Sequence, residues 1–175
     1  MRALDFLHIS LADQTLYGFA EGALCLRLRV STAVNGPGER YGSGCTPRGL
    51  HQVRAKIGAD LPLGAVLRGR RWTGEVWTPA LHAASPGRDW ILSRILWLSG
   101  REPGRNRLGE VDTFRRYIYL HGTPDCEPMG VPLSHGCVRL RNTDLLELFG
   151  RVPLHCPVRI DEAPCPDWAT AALTE

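Results

Sequence analysis

Two short stretches hold the side chains best suited to covalent chemistry. "PLSHGCVRLRN", residues 132–142, sets His135, Gly136 and Cys137 in a row, and "IYLHGTPD" just upstream carries His121 and Gly122. A free thiol, with a pKa of about 8.5, is only a few per cent thiolate at neutral pH, so a nucleophilic cysteine needs a nearby base or positive charge. His135 lies two residues before Cys137. In an extended segment their side chains point the same way, which is cramped for a linear proton transfer. His121, at a strand end, can meet the thiol head-on if folding pairs the two segments. His121 is therefore expected to be the general base and His135 a supporting group. Gly136 lets the chain turn sharply and lets substrate approach with no Cβ in the way. It is also expected to leave the amides of Gly136 and Cys137 facing a developing oxyanion, donors worth about 2.7–4 kcal/mol of barrier each. Gly122 frees the backbone after His121, so that a carbonyl there holds one ring nitrogen and the other accepts a proton.

The same residues admit a reading of another class. His121, Cys126, His135 and Cys137 fall within 17 residues, and zinc accepts imidazole and thiolate ligands. The spacing H-x4-C-x8-H-x-C is not that of a standard finger. Around the thiol, Ser134 is expected to hydrogen-bond the loop. Arg139 either binds a substrate carboxylate or braces the loop through backbone carbonyls, and Tyr119 either lines the groove or packs. Arg115 and Arg116 read as solvated edge charges. Cys45 and Cys126 lie in loops near the motifs, incidental or available for oxidation with Cys137.

Short strand-like runs must position these groups. "QTLYGF" and "LCLRLRV" read as a hairpin, with Leu26, Leu28 and Val30 alternating against Arg27 and Arg29. "LHQVRAKIG" follows a Gly/Pro-rich loop at 35–49 and sets Val53, Ala55 and Ile57 on one face. Residues 58–88 read as irregular. The periodicity of "DWILSRILWLSG" fits a strand or a short amphipathic helix, and its β-branched and aromatic residues favour the strand; "FRRYIYLHG" is predicted as a strand with Phe114, Ile118 and Leu120 toward the core. "NTDLLELFG" predicts a helix capped by Asn142 or Thr143, with Leu145, Leu148 and Phe149 as its apolar stripe and Gly150 at its end. "CPVRID" is a last strand. The fold class expected is mostly β, a largely antiparallel sandwich or partial barrel with one or two short helices. The catalytic domain is expected over 1–162, with 163–175 a short C-terminal extension.

The chain has 175 residues, 43% hydrophobic and 22% charged, as in an ordinary globular domain. Its net charge of +3 is too small and scattered for a nucleic-acid partner. Of 21 basic residues all but Lys56 are arginine, which suits carboxylate recognition at one or two positions. No run of about 18 apolar residues occurs, so no helical membrane span is expected. Asp5, His8 and Asp13 interrupt any secretory core, which leads to the expectation of a cytoplasmic protein. Most of the six cysteines are then expected to be buried small apolar residues.

"HGTPDCEPMGVPLSHGCVRLRN" resembles the signature of the L,D-transpeptidase catalytic domain, the YkuD-like family: a histidine, a spacer, then Ser/Thr-His-Gly-Cys, an apolar residue and Arg or Asn. His121, Ser134, His135, Gly136, Cys137, Val138 and Arg139 fit it. "VSTAVNGPGERYGSGCTPRG" resembles the family's "STG…TPxG" stretch and "LFGRVPLHCPVRI" its closing helix and strand, so the likeness runs over roughly residues 4 to 161. Two departures stand out: Ala33 in place of a glycine, and a short spacer before Ser134 that implies a small lid. The resemblance implies attack by Cys137 on the bond between the L-centre of meso-diaminopimelate (or L-lysine) and the terminal D-alanine of a peptidoglycan tetrapeptide, through a thioester. It implies no metal or organic cofactor, and carbapenems as covalent inhibitors. Water as acceptor gives an L,D-carboxypeptidase, favoured here for soluble muropeptides in murein recycling; an amine acceptor gives a 3→3 cross-link in the periplasm. A non-catalytic peptidoglycan-binding module is the remaining alternative.

Overall fold

The computed structural model describes residues 1–165. Ten strands form one mixed sheet: β1 Phe6–Ser10, β2 Thr15–Ala20, β3 Ala23–Arg29, β4 Gly49–Ile57, β5 Ala65–Arg68, β6 Arg71–Val76, β7 Ile91–Gly100, β8 Tyr119–Gly122, β9 Val138–Leu140 and β10 Pro157–Asp161. The order along the sheet is β3-β2-β1-β10-β4-β7-β5-β6, with β8 branching from β7 and β9 pairing with β8. Two helices, α1 Pro79–Ala84 and α2 Asn142–Arg151, complete the domain. The mostly β class holds. The sheet is mixed because β1 pairs β10, and β8 pairs β9, in parallel.

One core joins the inner faces of most strands to α2 through Leu7, Val53, Leu120, Val138, Leu145 and Leu148, all fully buried. α2 begins without a side-chain cap; Arg141 precedes it, and it runs through Gly150 to Arg151. Asn142, expected as a cap, instead turns inward: its Oδ1 accepts from Ser93 Oγ at 2.6 Å and its Nδ2 donates to the Thr123 carbonyl at 2.9 Å. At the other end Lys56 Nζ donates to the carbonyls of Phe149 and Val152, both at 2.7 Å, which satisfies groups the helix leaves open.

Several local expectations change. Val53 and Ile57 do not share a face. A bulge between Val53 and Ala55 flips the alternation, so Val53 enters the main core while Ile57 packs with Leu67, Ile95 and Tyr119 on the other side. The segment before β8 is turned rather than extended. Tyr117 has φ +56°, and Phe114 leaves the core to stack on Trp97 with centroids 3.8 Å apart. Residues 58–88 hold the β5–β6 hairpin and α1, which starts on Thr78 as N-cap with Pro79 beside it. Of the expected extension, 166–175 lie outside the described residues. Residues 163–165 pack on the sheet: Ser10 Oγ donates to the Ala163 carbonyl, and Cys165 is buried with Tyr17 and Phe19.

Candidate active site

The strand period of two builds the site. Along β8, Leu120 faces the main core, so Tyr119 and His121 face the opposite side; along β9, Val138 and Leu140 are inward, so Cys137 and Arg139 face the same way as His121. The parallel register places Leu120 beside Val138 and His121 beside Arg139. Tyr119, His121, Ser134, His135, Cys137 and Arg139 thereby line one cavity of about 460 Å³. The segment at 31–33 holds the other edge of β9: Ser31 and Arg139 exchange both backbone hydrogen bonds, at 3.0 and 2.9 Å.

Cys137 Sγ accepts from the Tyr119 amide and donates to the Tyr117 carbonyl, each at 3.3 Å. Burial disfavours the thiolate and pushes its pKa up to about 12, against which the Tyr119 amide works. The His121 ring is buried, and burial holds its pKa below the ordinary histidine value. Its Nδ1 lies 2.7 Å from the Gly122 carbonyl. A carbonyl only accepts, so Nδ1 carries the proton and Nε2 is the acceptor. Sulfur and ring are thus both neutral at rest. His135 is exposed, and lines both this cavity and an adjoining one of about 330 Å³.

Gly136 acts differently from expectation, whereas the Gly122 carbonyl holds the His121 ring as expected. Gly136 has φ +131°, and a Cβ there would lie 3.2 Å from the Cys45 carbonyl oxygen and from Ile118 Cδ1. Its amide is not open to a ligand, because it donates to Ser134 Oγ at 3.2 Å. Ser134 Oγ in turn donates to the Cys137 carbonyl at 2.5 Å, so this hydroxyl ties the loop on both sides of the glycine. Thr46 Oγ1 donates to the Gly136 carbonyl at 2.9 Å and accepts from the Ala33 amide at 3.0 Å. At Gly122 the need is space: an added Cβ would sit 2.2 Å from Asn142 Oδ1 and 2.6 Å from the Leu92 carbonyl.

The arginines divide. Arg139 lines the cavity and pairs with the carboxylate of Asp89 at 3.2 Å, rather than with the backbone carbonyls of the bracing alternative. Arg116 is no solvated edge charge. It is half-buried in the cavity wall and donates to the Gly38 and Cys45 carbonyls and to Ser43 Oγ, at 3.1, 2.7 and 3.2 Å; Arg115 is exposed. Arg70, which no sequence motif marks, reaches the same cavity from the β5–β6 turn and donates to Tyr119 Oη at 3.2 Å. Asp89 and Arg70 carry no local signal, since each reaches the site through a partner 49 or 50 residues away in sequence; Thr46 belongs to the "TPxG" stretch and ties the Gly136 carbonyl to the Ala33 amide. The zinc set does not assemble: among the described residues no three His, Cys, Asp or Glu side chains are placed to hold an ion, and Cys126 is exposed.

The YkuD family, described as the L,D-transpeptidase catalytic domain, matches residues 5–160. The chain belongs to that family. A segment of this L,D-transpeptidase domain is 30% identical over 113 residues to the probable L,D-transpeptidase YbiS of Escherichia coli K12. The match covers 62% of this chain and only 36% of YbiS. The fold resembles a mutant Enterococcus faecium L,D-transpeptidase (TM-score 0.55, 15% identity, 91% of this chain and 50% of that one). It also resembles the L,D-transpeptidase LdtMt1 in complex with imipenem (TM-score 0.53, 16% identity, 91% and 59%). Both departures from the family pattern find a structural setting. Ala33 is buried in an extended bridge to Ser134 and needs no left-handed backbone. The spacer does not line the cavity of this L,D-transpeptidase domain; the β5–β6 turn, through Gly69 and Arg70, does.

Proposed function

We propose that this L,D-transpeptidase domain works by cysteine acyl transfer on peptidoglycan stem peptides, cleaving the bond between the L-centre of diaminopimelate or lysine and a terminal D-alanine. The observation that carries the reading is the shared cavity of Cys137 and His121, with His121 Nδ1 tied to the Gly122 carbonyl so that Nε2 is left basic. Substrate binding displaces the thiol proton from the Tyr117 carbonyl toward His121 Nε2. The sulfur attacks the scissile carbonyl as Nε2 takes the proton, and the oxyanion forms. His121 then returns the proton to the departing amine of D-alanine, leaving a thioester on Cys137. With the Gly136 amide held by Ser134, the Cys137 amide is the remaining oxyanion donor of the pair. Neutral partners suit this sequence, since charge appears only as the reaction proceeds. His135, at the mouth, supports substrate rather than the proton transfer.

Attack by water on the thioester gives the tripeptide; attack by a side-chain amine of a second stem gives a 3→3 cross-link. The hydrolytic branch, and with it a cytoplasmic role in recycling, is the primary reading; the periplasmic cross-linking branch is the alternative. The family relative bound to imipenem supports a carbapenem as a covalent probe of Cys137. The deciding experiment is incubation of the protein with disaccharide-tetrapeptide followed by mass spectrometry. Tripeptide plus D-alanine is expected; dimers as the main product select the cross-linking branch, and unchanged tetrapeptide rejects the enzyme.

A further inference from the structure

Three guanidinium groups, those of Arg70, Arg116 and Arg139, line the Cys137 cavity. Arg139 is paired with the carboxylate of Asp89. Arg116 is held by two carbonyls and a hydroxyl. Among the described residues, the hydrogen bond of Arg70 goes to a phenol, Tyr119 Oη, at 3.2 Å. Its guanidinium carbon lies 4.8 Å from the Trp97 ring centroid and 4.9 Å from that of Tyr117. Trp97 is fixed from behind, with Phe114 stacked on it at 3.8 Å and its indole N–H donating to the Phe114 carbonyl at 3.1 Å. The cation is therefore oriented before any ligand arrives, and most of its five N–H donors are left for an anion.

The backbone adds an independent sign. Gly69 and Arg70 form the two-residue turn of the β5–β6 hairpin, with φ of +53° and +64°. Turns of this kind favour glycine or asparagine at such positions, and arginine is strained there. A hairpin needing only to turn gains nothing from that choice; one that must deliver a guanidinium to the cavity does.

We propose that Arg70 is the binding residue for a free carboxylate of the donor stem peptide, and thus makes the site prefer non-amidated substrate. This rests on the stem peptide being the ligand of the Cys137 cavity. A planar guanidinium fork matches a carboxylate and not a carboxamide. The carboxylates of the terminal D-alanine and of a diaminopimelate third residue share this chemistry, and amidating one at a time in a diaminopimelate tetrapeptide tells them apart.

The test is calorimetric titration of tetrapeptides into the Cys137→Ala protein, which binds without turnover, alone and combined with Arg70→Met or Arg70→Lys. Methionine keeps apolar packing between Trp97 and Tyr117 without the fork, and lysine keeps the charge without it. Expected is at least tenfold weaker binding of one of the two mono-amides than of the free acid. Arg70→Met should weaken the free acid by the same factor and leave that amide unchanged, with Arg70→Lys between. Should Arg70→Met fail to fold, Arg70→Lys carries the same comparison. Equal losses on free acid and both amides would make Arg70 a scaffold residue and overturn the proposal, as would affinities indifferent to amidation. Stem peptide that binds with this pattern but is not cleaved by the wild-type protein rejects the enzyme and sustains the carboxylate assignment. If no stem peptide binds in any form, both fall.

Discussion

At the residue scale the buried His121 imidazole and the half-buried Cys137 sulfur both favour their neutral forms before substrate arrives, because desolvation opposes the charged form of each. With its pKa pushed up to about 12 by desolvation, the Cys137 thiol stays protonated at neutral pH. The free protein should therefore lack the ultraviolet absorbance of a Cys137 thiolate at neutral pH, judged by difference from Cys137→Ala; such a band at pH 7 would point to a resting ion pair and contradict the proposed order of proton transfer. Cys137→Ala should abolish turnover while leaving the thermal melt intact. His121→Ala should slow acylation by about 10²–10⁴-fold, the usual contribution of a positioned general base. Mass increase after mixing with imipenem reports that rate directly, and near-normal acylation would remove His121 from the role.

At the scale of elements, the site depends on how tightly β8 is held between β7 and the start of α2. Ser93 breaks the β7 register with φ +70°, and its hydroxyl joins the Gly64 amide to Asn142 Oδ1. Asn142 passes the connection to the Thr123 carbonyl, just beyond β8. Gly122 leaves the space that Asn142 fills. Gly122→Ala is expected to destabilise the protein by about 1–3 kcal/mol through overpacking. It should also slow acylation, since the carbonyl that fixes the His121 tautomer belongs to the displaced residue. Denaturant melts and acylation rates together check this; a fully stable, fully active variant would show that β8 tolerates the shift. The "HG" dipeptide predicted a glycine with a backbone task here. That the task is room for a helix residue was legible only once α2 was seen to dock on β7 and β8.

For the whole molecule, the largest consequence of burial is sensitivity to acid. His51 is buried, with Nδ1 3.0 Å from the Gly49 carbonyl and Nε2 3.0 Å from Thr113 Oγ1, and burial lowers its pKa to about 4. His121 and His8 are shifted the same way. A histidine whose folded pKa lies below its unfolded value of about 6.5 stabilises the fold above that pH and loses the contribution as pH falls through the folded value. Stability should thus decline between about pH 6.5 and pH 4, with His51 alone accounting for roughly 3 kcal/mol. Urea midpoints across this range measure the decline, and His51→Gln should flatten it; a midpoint constant from pH 7 to about pH 4 would contradict the account.

The family, the mostly β class and the cavity residues Cys137, His121, His135, Ser134, Arg139 and Tyr119 are legible in the chain alone, because these residues are adjacent or recur at the strand period of two. The β2–β3 hairpin, α2 and β10 are legible for the same reason, since alternation and apolar stripes are local signals, while β7 is legible from its β-branched and aromatic residues. Where alternation breaks is set by folding, since the bulges at Val53 and Ser93 arise from pairing with neighbouring strands. Folding likewise turns the Gly136 amide to Ser134, half-buries Arg116, and brings Arg70 and Asp89 to a site built by residues 119–139. Hydrogen bonds and ion pairs between distant segments depend on closing long loops, and no pattern within a single segment encodes which partner waits at the other end.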